Sequence, residues 1–226
     1  MNGTNITMNE VLTSTEAKSH ISFYFFTKRI FDIIIGLIGI LCMIPLTIIV
    51  KIAYILTGDF GHIFLKQARI GKNGKTIYIY KFRSMIENAD EVLYDMMEKD
   101  ANIRNEYLKN RKLKNDPRIT KVGKFIRRTS IDEFPQFINV FLGNMSVVGP
   151  RPYLHREKED MGGYYKKIIT TKPGVTGYWQ VTGRSNTDFI TRLKMDSYYC
   201  DNKGMKMDLK LFMKTFESVI GMNGAK

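Results

Sequence analysis

The sequence predicts an α+β fold, predominantly helical with one small β-hairpin, attached to a membrane through a single N-terminal helix interrupted by proline. Three observations carry this. Ile33 to Val50 runs for 18 residues without a charge, the length at which an apolar segment becomes a candidate membrane helix. Asn73-Gly74 separates two runs of strand-forming residues, a strong short-range hairpin signal. Most of the rest, over residues 86–112, 134–142, 187–200 and 208–220, is apolar at helical spacing.

A chain of 226 residues has room for one core, or one core and a membrane element. Its boundaries are expected at 1–22 for a flexible tail, 23–57 for the membrane helix and 58–226 for the globular domain. Lys and Arg outnumber Asp and Glu by 35 to 22, yet residues 1–61 hold four of each sign, so the whole +13 lies downstream. Such a surface suits nucleic acid, anionic lipid or a phosphorylated substrate, and charge alone does not choose among them. Cys42 and Cys200 have neither metal nor disulfide spacing, which fits a reducing compartment.

Residues 1–22 are polar and lack the basic start and small-residue cleavage site of a signal peptide. Inside the apolar run, Pro45 removes one helical hydrogen bond and clashes with the preceding turn, so a kink is expected near Met43-Ile44. Two topologies follow. Unbroken, about 20 residues cross a hydrocarbon core of about 30 Å; broken, two arms of about 14 residues each reach only about 20 Å and must dip in and return. Basic flanks on both sides, Lys28-Arg29 and Lys51, favour the dip.

In the second hairpin strand, period-two alternation places Lys81 and Arg83 on one face with Ile77 and Ile79. The turn's glycines and lysines lack P-loop spacing. Residues 86–112, free of Pro and Gly, read as one or two amphipathic helices, and Asp116-Pro117 forces a turn. His155 has no partner pattern and reads as structural. Trp179, in a turn-rich loop ending at Gly183-Arg184, is open to three roles: stacking on a base, seating at a membrane interface, or packing.

The chemistry concentrates in Arg127-Arg128-Thr129-Ser130-Ile131-Asp132-Glu133-Phe134-Pro135-Gln136 and in Val148-Gly149-Pro150-Arg151-Pro152. Ser130 and Glu133 have capping-box spacing before Phe134, Phe137, Ile138 and Phe141, so a helix is expected to start there, ended by Gly143-Asn144. Asp132 is surplus to such a cap. At a helix N-terminus it is expected to be ionised, and beside Arg127, Arg128 and Arg151 it could serve as a nucleophile or, with Glu133, as a metal ligand at a phosphate. A membrane-tethered basic module for nucleic acid or anionic lipid is the alternative; it explains the charge but not the carboxylate pair, and no nucleic-acid recognition signature is present.

These two motifs, with Lys81-Phe82-Arg83-Ser84-Met85 and Lys172-Pro173-Gly174-Val175-Thr176-Gly177, resemble the signature of bacterial sugar transferases, the monotopic phosphoglycosyl transferases, over roughly residues 28–220. The resemblance implies a re-entrant helix broken at Pro45, and a catalytic domain on the cytoplasmic face of the bacterial inner membrane. It implies transfer of a sugar 1-phosphate from a UDP-sugar to undecaprenyl phosphate, releasing UMP, at the start of exopolysaccharide, capsule or glycan assembly. Asp132 would attack the β-phosphorus, Glu133 would handle Mg²⁺ or a proton, and Lys81, Arg83, Arg127, Arg128 and Arg151 would contact phosphates. The Lys-Pro-Gly-Val-Thr-Gly region leans the substrate toward UDP-glucose or UDP-galactose. No nucleic-acid partner is expected, and the sequence leaves room for a homo-oligomer.

Overall fold

The structure, a computed structural model, describes residues 8–183 and 187–220, with side chains from Ser22 to Glu217 within those spans. Arg184 and residues 1–7 lie outside it. The first element, α1, is one helix of 49 residues, Met8–Leu56. Residues 8–22, within the stretch expected as a tail, are helical: residues 9–22 hold no Pro or Gly to stop a helix nucleated by the apolar run. The expected interruption is corrected, because α1 continues through Pro45. Contacts on both sides of the proline hold the helix, with Met43, Val50, Ala53 and Tyr54 all packed against the domain. The Thr47 hydroxyl also donates to the Met43 carbonyl at 2.8 Å, satisfying one acceptor near the gap.

Along α1, Lys28, Asp32, Gly36 and Gly39 are buried at three- and four-residue spacing, and after a stretch in which Met43, Leu46 and Thr47 are half-buried, burial resumes at Val50 and Tyr54. The opposite face, including Ile34, Leu37, Leu41, Ile48 and Ile52, is exposed. Close approach needs glycine here: a Cβ at Gly39 would lie 2.2 Å from Cγ of Phe137. Polar ties reinforce the packing. Arg29 donates to the Val140 and Phe141 carbonyls at 2.9 and 2.8 Å, and Asp32 accepts from the Ser146 hydroxyl and the Val147 N–H at 2.9 and 2.8 Å. Lys28 pairs with Asp208 at 2.6 Å and donates to the Val148 carbonyl at 2.9 Å.

The expected hairpin forms from β1 (Phe64–Ile70) and β2 (Thr76–Phe82), antiparallel from Phe64↔Phe82 to Ile70↔Thr76. Asn73 and Gly74 both take positive φ, 59° and 75°, the turn that Asn-Gly favours. The predicted amphipathic stretch divides into α2 (Ala89–Lys99) and α3 (Ala101–Asn110), which close a small core of Leu93, Tyr107 and Leu113. Then come α4 (Lys121–Arg128) and α5 (Gln136–Leu142). Asn139 of α5 bonds the backbone of β2, donating to the Tyr78 carbonyl at 2.7 Å and accepting from the Tyr80 N–H at 3.2 Å.

A second, unforeseen sheet pairs β3 (Ser146–Val148) with β4 (Gly174–Thr176) in parallel. The short helices α6 (Tyr164–Ile168) and α7 (Tyr178–Thr182) flank β4, and α8 (Phe189–Asn202) and α9 (Met205–Ile220) complete the domain. The main core gathers Ile79, Val140, Val148, Tyr199 and Leu211 from the hairpin, α5, β3, α8 and α9.

Candidate active site

The turn bearing the carboxylates is not the capping box that the spacing suggested. Ser130 sits at φ 57° and ψ 17°, a left-handed residue that ends α4, and its side chain caps nothing. Asp132 lies in a three-residue 3₁₀ turn, Ile131–Glu133, and α5 begins only at Gln136. Pro135 explains the delay: it has no N–H to give and suits the entrance of a helix, not its second turn. The carboxylates therefore occupy a tight corner between α4 and α5. Ile131 and Phe134 pin that corner to Val50 and Tyr54 of α1, to Phe82 and to Ile126.

The electrostatics follow from burial. Asp132 is half-buried and its carboxyl is pushed up to about 6; desolvation is the main cause, Glu133 adds to it, and Lys81 and Arg127 oppose it. Lys81 reaches Glu133 at 3.2 Å. An aspartate so placed is ionised at neutral pH, yet close enough to its titration range for the proton to matter. The expectation that a helix N-terminus ionises it is replaced by this balance of burial and neighbouring cations.

Arg127 and Arg128 are exposed on the last turn of α4. The charge of Arg127 reaches Asp132, whereas among the described residues Arg128 makes no hydrogen bond or ion pair. Arg83 turns away from the carboxylates. Its guanidinium pairs with Asp59 at 2.7 Å, donates to the His62 and Met85 carbonyls at 2.6 and 3.2 Å, and lies 4.9 Å from the Tyr54 ring centre. Tyr54 in turn donates to the Arg83 carbonyl. These bonds make it a brace between α1 and the hairpin.

Arg151 lies on a turn fastened from two sides. The Gly149 N–H donates to the Thr176 carbonyl at 2.9 Å and the Gly174 N–H to the Pro150 carbonyl at 2.8 Å, while the Arg151 N–H donates to Asp196 of α8 at 3.0 Å. Asp196 also accepts from the Tyr153 hydroxyl at 2.8 Å. Burial pushes the Asp196 carboxyl up to about 7 against both of those bonds. Trp179 is buried between two guanidiniums, with Arg151 at 5.8 Å and Arg192 at 4.8 Å from its ring, so it packs and does not seat at a membrane surface. Among the described residues the His155 ring meets the Thr76 hydroxyl, at 3.2 Å, as a structural residue would.

Arg69 braces the second motif from β1. It is buried and donates to the Pro152 carbonyl at 3.1 Å; burial, aided by Arg151, pushes its guanidinium down to about 9, and Glu157 and Glu133 pull the other way. Arg69 and Arg192 carried no sequence signal, because a lone arginine ending a strand and another opening a helix look like solvated charges. For a divalent cation, Asp132 and Glu133 are the carboxylates at hand; among the described residues no group of three or more metal-ligating side chains assembles. Two carboxylates plus the oxygens of a bound diphosphate match how Mg²⁺ is held at phosphoryl-transfer sites, so the residues fit that ion.

A family model described as bacterial sugar transferase matches residues 23–222. The undecaprenyl-phosphate galactose phosphotransferase of Salmonella typhimurium is 44% identical over 200 residues, which is 88% of this chain and 42% of that protein. The exopolysaccharide production protein ExoY of Sinorhizobium fredii is 37% identical over 199 residues, 88% of each chain. The UDP-glucose:undecaprenyl-phosphate glucose-1-phosphate transferase of Escherichia coli is 35% identical over 206 residues, 85% of this chain and 40% of that one. This chain thus spans about two fifths of the first and third of these relatives and nearly all of the second.

Proposed function

The chain belongs to the bacterial sugar transferase family, and on that premise we propose that it transfers a sugar 1-phosphate, a hexose 1-phosphate by preference, from a UDP-sugar to undecaprenyl phosphate, opening the assembly of an exopolysaccharide or capsule. The observation that carries the reading is half-buried Asp132 beside Glu133 and Lys81, on a corner packed against the same side chains as the apolar helix. A polar donor and a lipid acceptor must meet at one phosphorus, and this corner stands where water and lipid meet.

In the first step the Asp132 carboxylate attacks the β-phosphorus, the bond to the bridging oxygen breaks, and UMP leaves with that oxygen. An aspartyl phosphosugar remains. A phosphate oxygen of undecaprenyl phosphate then attacks the same phosphorus and frees the Asp132 carboxylate, giving a lipid diphosphate sugar. Asp132 and Glu133 are the residues that would hold Mg²⁺, which would supply positive charge to offset that of the substrate phosphates. Lys81 holds Glu133 and lowers the Asp132 carboxyl; Arg127 adds to the positive field, and Arg151, steadied by Asp196, faces the donor phosphates. A binding module for nucleic acid or lipid has no use for a strained carboxylate corner.

The proposal extends to topology: α1 enters the cytoplasmic leaflet and does not cross it. A spanning helix leaves its domain for about 20 residues, whereas α1 is buried against the domain as far as Gly39 and again at Val50 and Tyr54, with half-buried Met43 packed on it in between. Single cysteines at Asn5 and Asn73, in a chain lacking Cys42 and Cys200, should both resist an impermeant thiol reagent in intact cells; labelling at Asn5 alone means crossing. For the activity, protein in lipid nanodiscs is given each of a panel of radiolabelled UDP-sugars with undecaprenyl phosphate. Label moving into organic solvent together with UMP release supports transfer, and no lipid-soluble label from any donor removes it.

A further inference from the structure

Arg151 is the cation of the second motif, yet among the described residues its guanidinium makes no hydrogen bond and no ion pair. Its backbone N–H goes to Asp196, and its side chain meets the Trp179 ring, 5.8 Å from the ring centre. Arg192 lies 4.8 Å from the same ring and is buried. Unlike Arg151 it is anchored. Its Nη2 donates to the Thr187 carbonyl at 2.8 Å, just ahead of α8, and its Nη1 to the carbonyl of Asn110, the last residue of α3, at 3.3 Å. The indole N–H of Trp179 is buried with no partner among the described residues, so the ring works here through its faces and not through its one polar atom.

The cations gathered here are short of an anion. Burial pushes the Arg192 guanidinium down and Arg151 adds to the effect; Lys112 is pushed down by burial, then by Arg192 and Arg151. Asp196 feels the charge of Arg151, but its bonds go to the Arg151 backbone and the Tyr153 hydroxyl. The arrangement suits a cation that must stay available. A carboxylate paired with the Arg151 guanidinium would fix the side chain and cancel its charge, whereas an aromatic face orients a guanidinium and leaves both the charge and the N–H groups for a ligand.

We propose that Trp179 and Arg192 are positioning residues for the donor: Arg192, tied to α3 and to the start of α8, sets the indole, and the indole holds the Arg151 guanidinium ready for the phosphates of the UDP-sugar. The donor then supplies the anion that the cluster lacks. This rests on Arg151 facing the donor phosphates, and the test separates the two. Losing a desolvated contact between a cation and an aromatic ring corresponds to roughly tenfold in affinity. Trp179→Leu should therefore weaken UMP binding and raise the KM for the UDP-sugar by about tenfold, with the KM for undecaprenyl phosphate unchanged. Trp179→Phe keeps an aromatic face and should stay within about threefold of wild type.

The experiment uses the full chain in lipid nanodiscs and reads UMP affinity by titration calorimetry, both KM values and the melting temperature. Each of Trp179→Leu and Arg192→Met is made alone and again with Arg151→Met. Because both positions act through Arg151, each should weaken UMP binding in the wild-type background and add nothing once Arg151 is gone. Should Trp179→Leu fail to fold, Arg192→Met carries the same cycle. A loss that persists undiminished in the Arg151→Met background overturns the proposal. So does a Trp179→Phe variant as damaged as Trp179→Leu, which would make the indole N–H a substrate contact. A matching rise in the KM for undecaprenyl phosphate with a lower melting temperature also overturns it, reducing the pair to packing. UMP affinity untouched by Arg151→Met alone would instead remove Arg151 from the donor phosphates, and the positioning role would fall with it.

Discussion

Replacing Asp132 by Asn should destroy activity and yet make the protein more stable. Burial lifts this carboxyl from an ordinary 3.8 to about 6, so at neutral pH the folded chain holds a charge its surroundings disfavour. The folded state binds the proton more tightly than the unfolded state, so stability falls as pH rises through the window between those values and the full cost is present above it. Two pKa units at about 1.4 kcal/mol each amount to about 3 kcal/mol at most, since residual solvent access screens part of it. Asn keeps the shape without the charge. For a chain of this size that corresponds to a rise of up to roughly 6–12 °C in apparent Tm at pH 7.5. At pH 4, where the wild-type carboxyl is protonated in the folded state, the two proteins should melt together. Thermal unfolding of both in one detergent at one scan rate, at the two pH values, decides it. An Asn variant less stable at pH 7.5, or a gap that persists unchanged at pH 4, would refute this account of the corner.

Three further outcomes are expected. Glu133→Gln cannot act by undoing a cap, because no cap is there; if Glu133 handles a cation or proton, turnover should fall by about 10² or more while the melting temperature stays near wild type. Since Lys81 lowers the Asp132 carboxyl, Lys81→Met should move the acid limb of kcat/KM, expected near pH 6 in the wild type, to higher pH; a limb that stays in place means Asp132 is not the group being titrated. Gly39→Leu drives a side chain into the Phe137 ring, where even a Cβ would come within 2.2 Å, and should cost about 1–3 kcal/mol and lower the yield of folded protein in membranes.

Local signals in the sequence were obeyed where nothing distant competed. Asn73-Gly74 made its hairpin because both residues tolerate positive φ, and the stretch after Asn88 made helices because an apolar stripe was available to pack. Long-range contacts decided the rest. Ser130 has the right spacing for a cap, but Pro135 and the end of α4 leave it no helix to cap. The pairing of Arg83 with Asp59 was not legible, because Asp59 is 24 residues upstream in a loop. The β3 and β4 strands are three residues each and meet through Gly149 and Gly174, where a Cβ at Gly174 would come within 2.1 Å of the Gly149 nitrogen. Asp132 and Glu133 were legible from residue type and order; the bond from Arg69 to the Pro152 carbonyl was not, since it exists only once β1 lies beside Pro152.

The polar ties between α1 and β3 make the membrane helix a structural member of the domain. Without it, Asp208 would lose its cation and the Tyr24 hydroxyl and keep only the Tyr199 hydroxyl at 2.7 Å, leaving a charge nearly sealed from water. Ser146 and the Val147 N–H would lose their acceptor in Asp32 in the same stroke, two residues before the turn that carries Arg151. Trimming the chain at its apolar segment is therefore no route to a soluble enzyme. The cut would pass through the core, and the fragment left behind would carry the signature motifs without the scaffold that aims them.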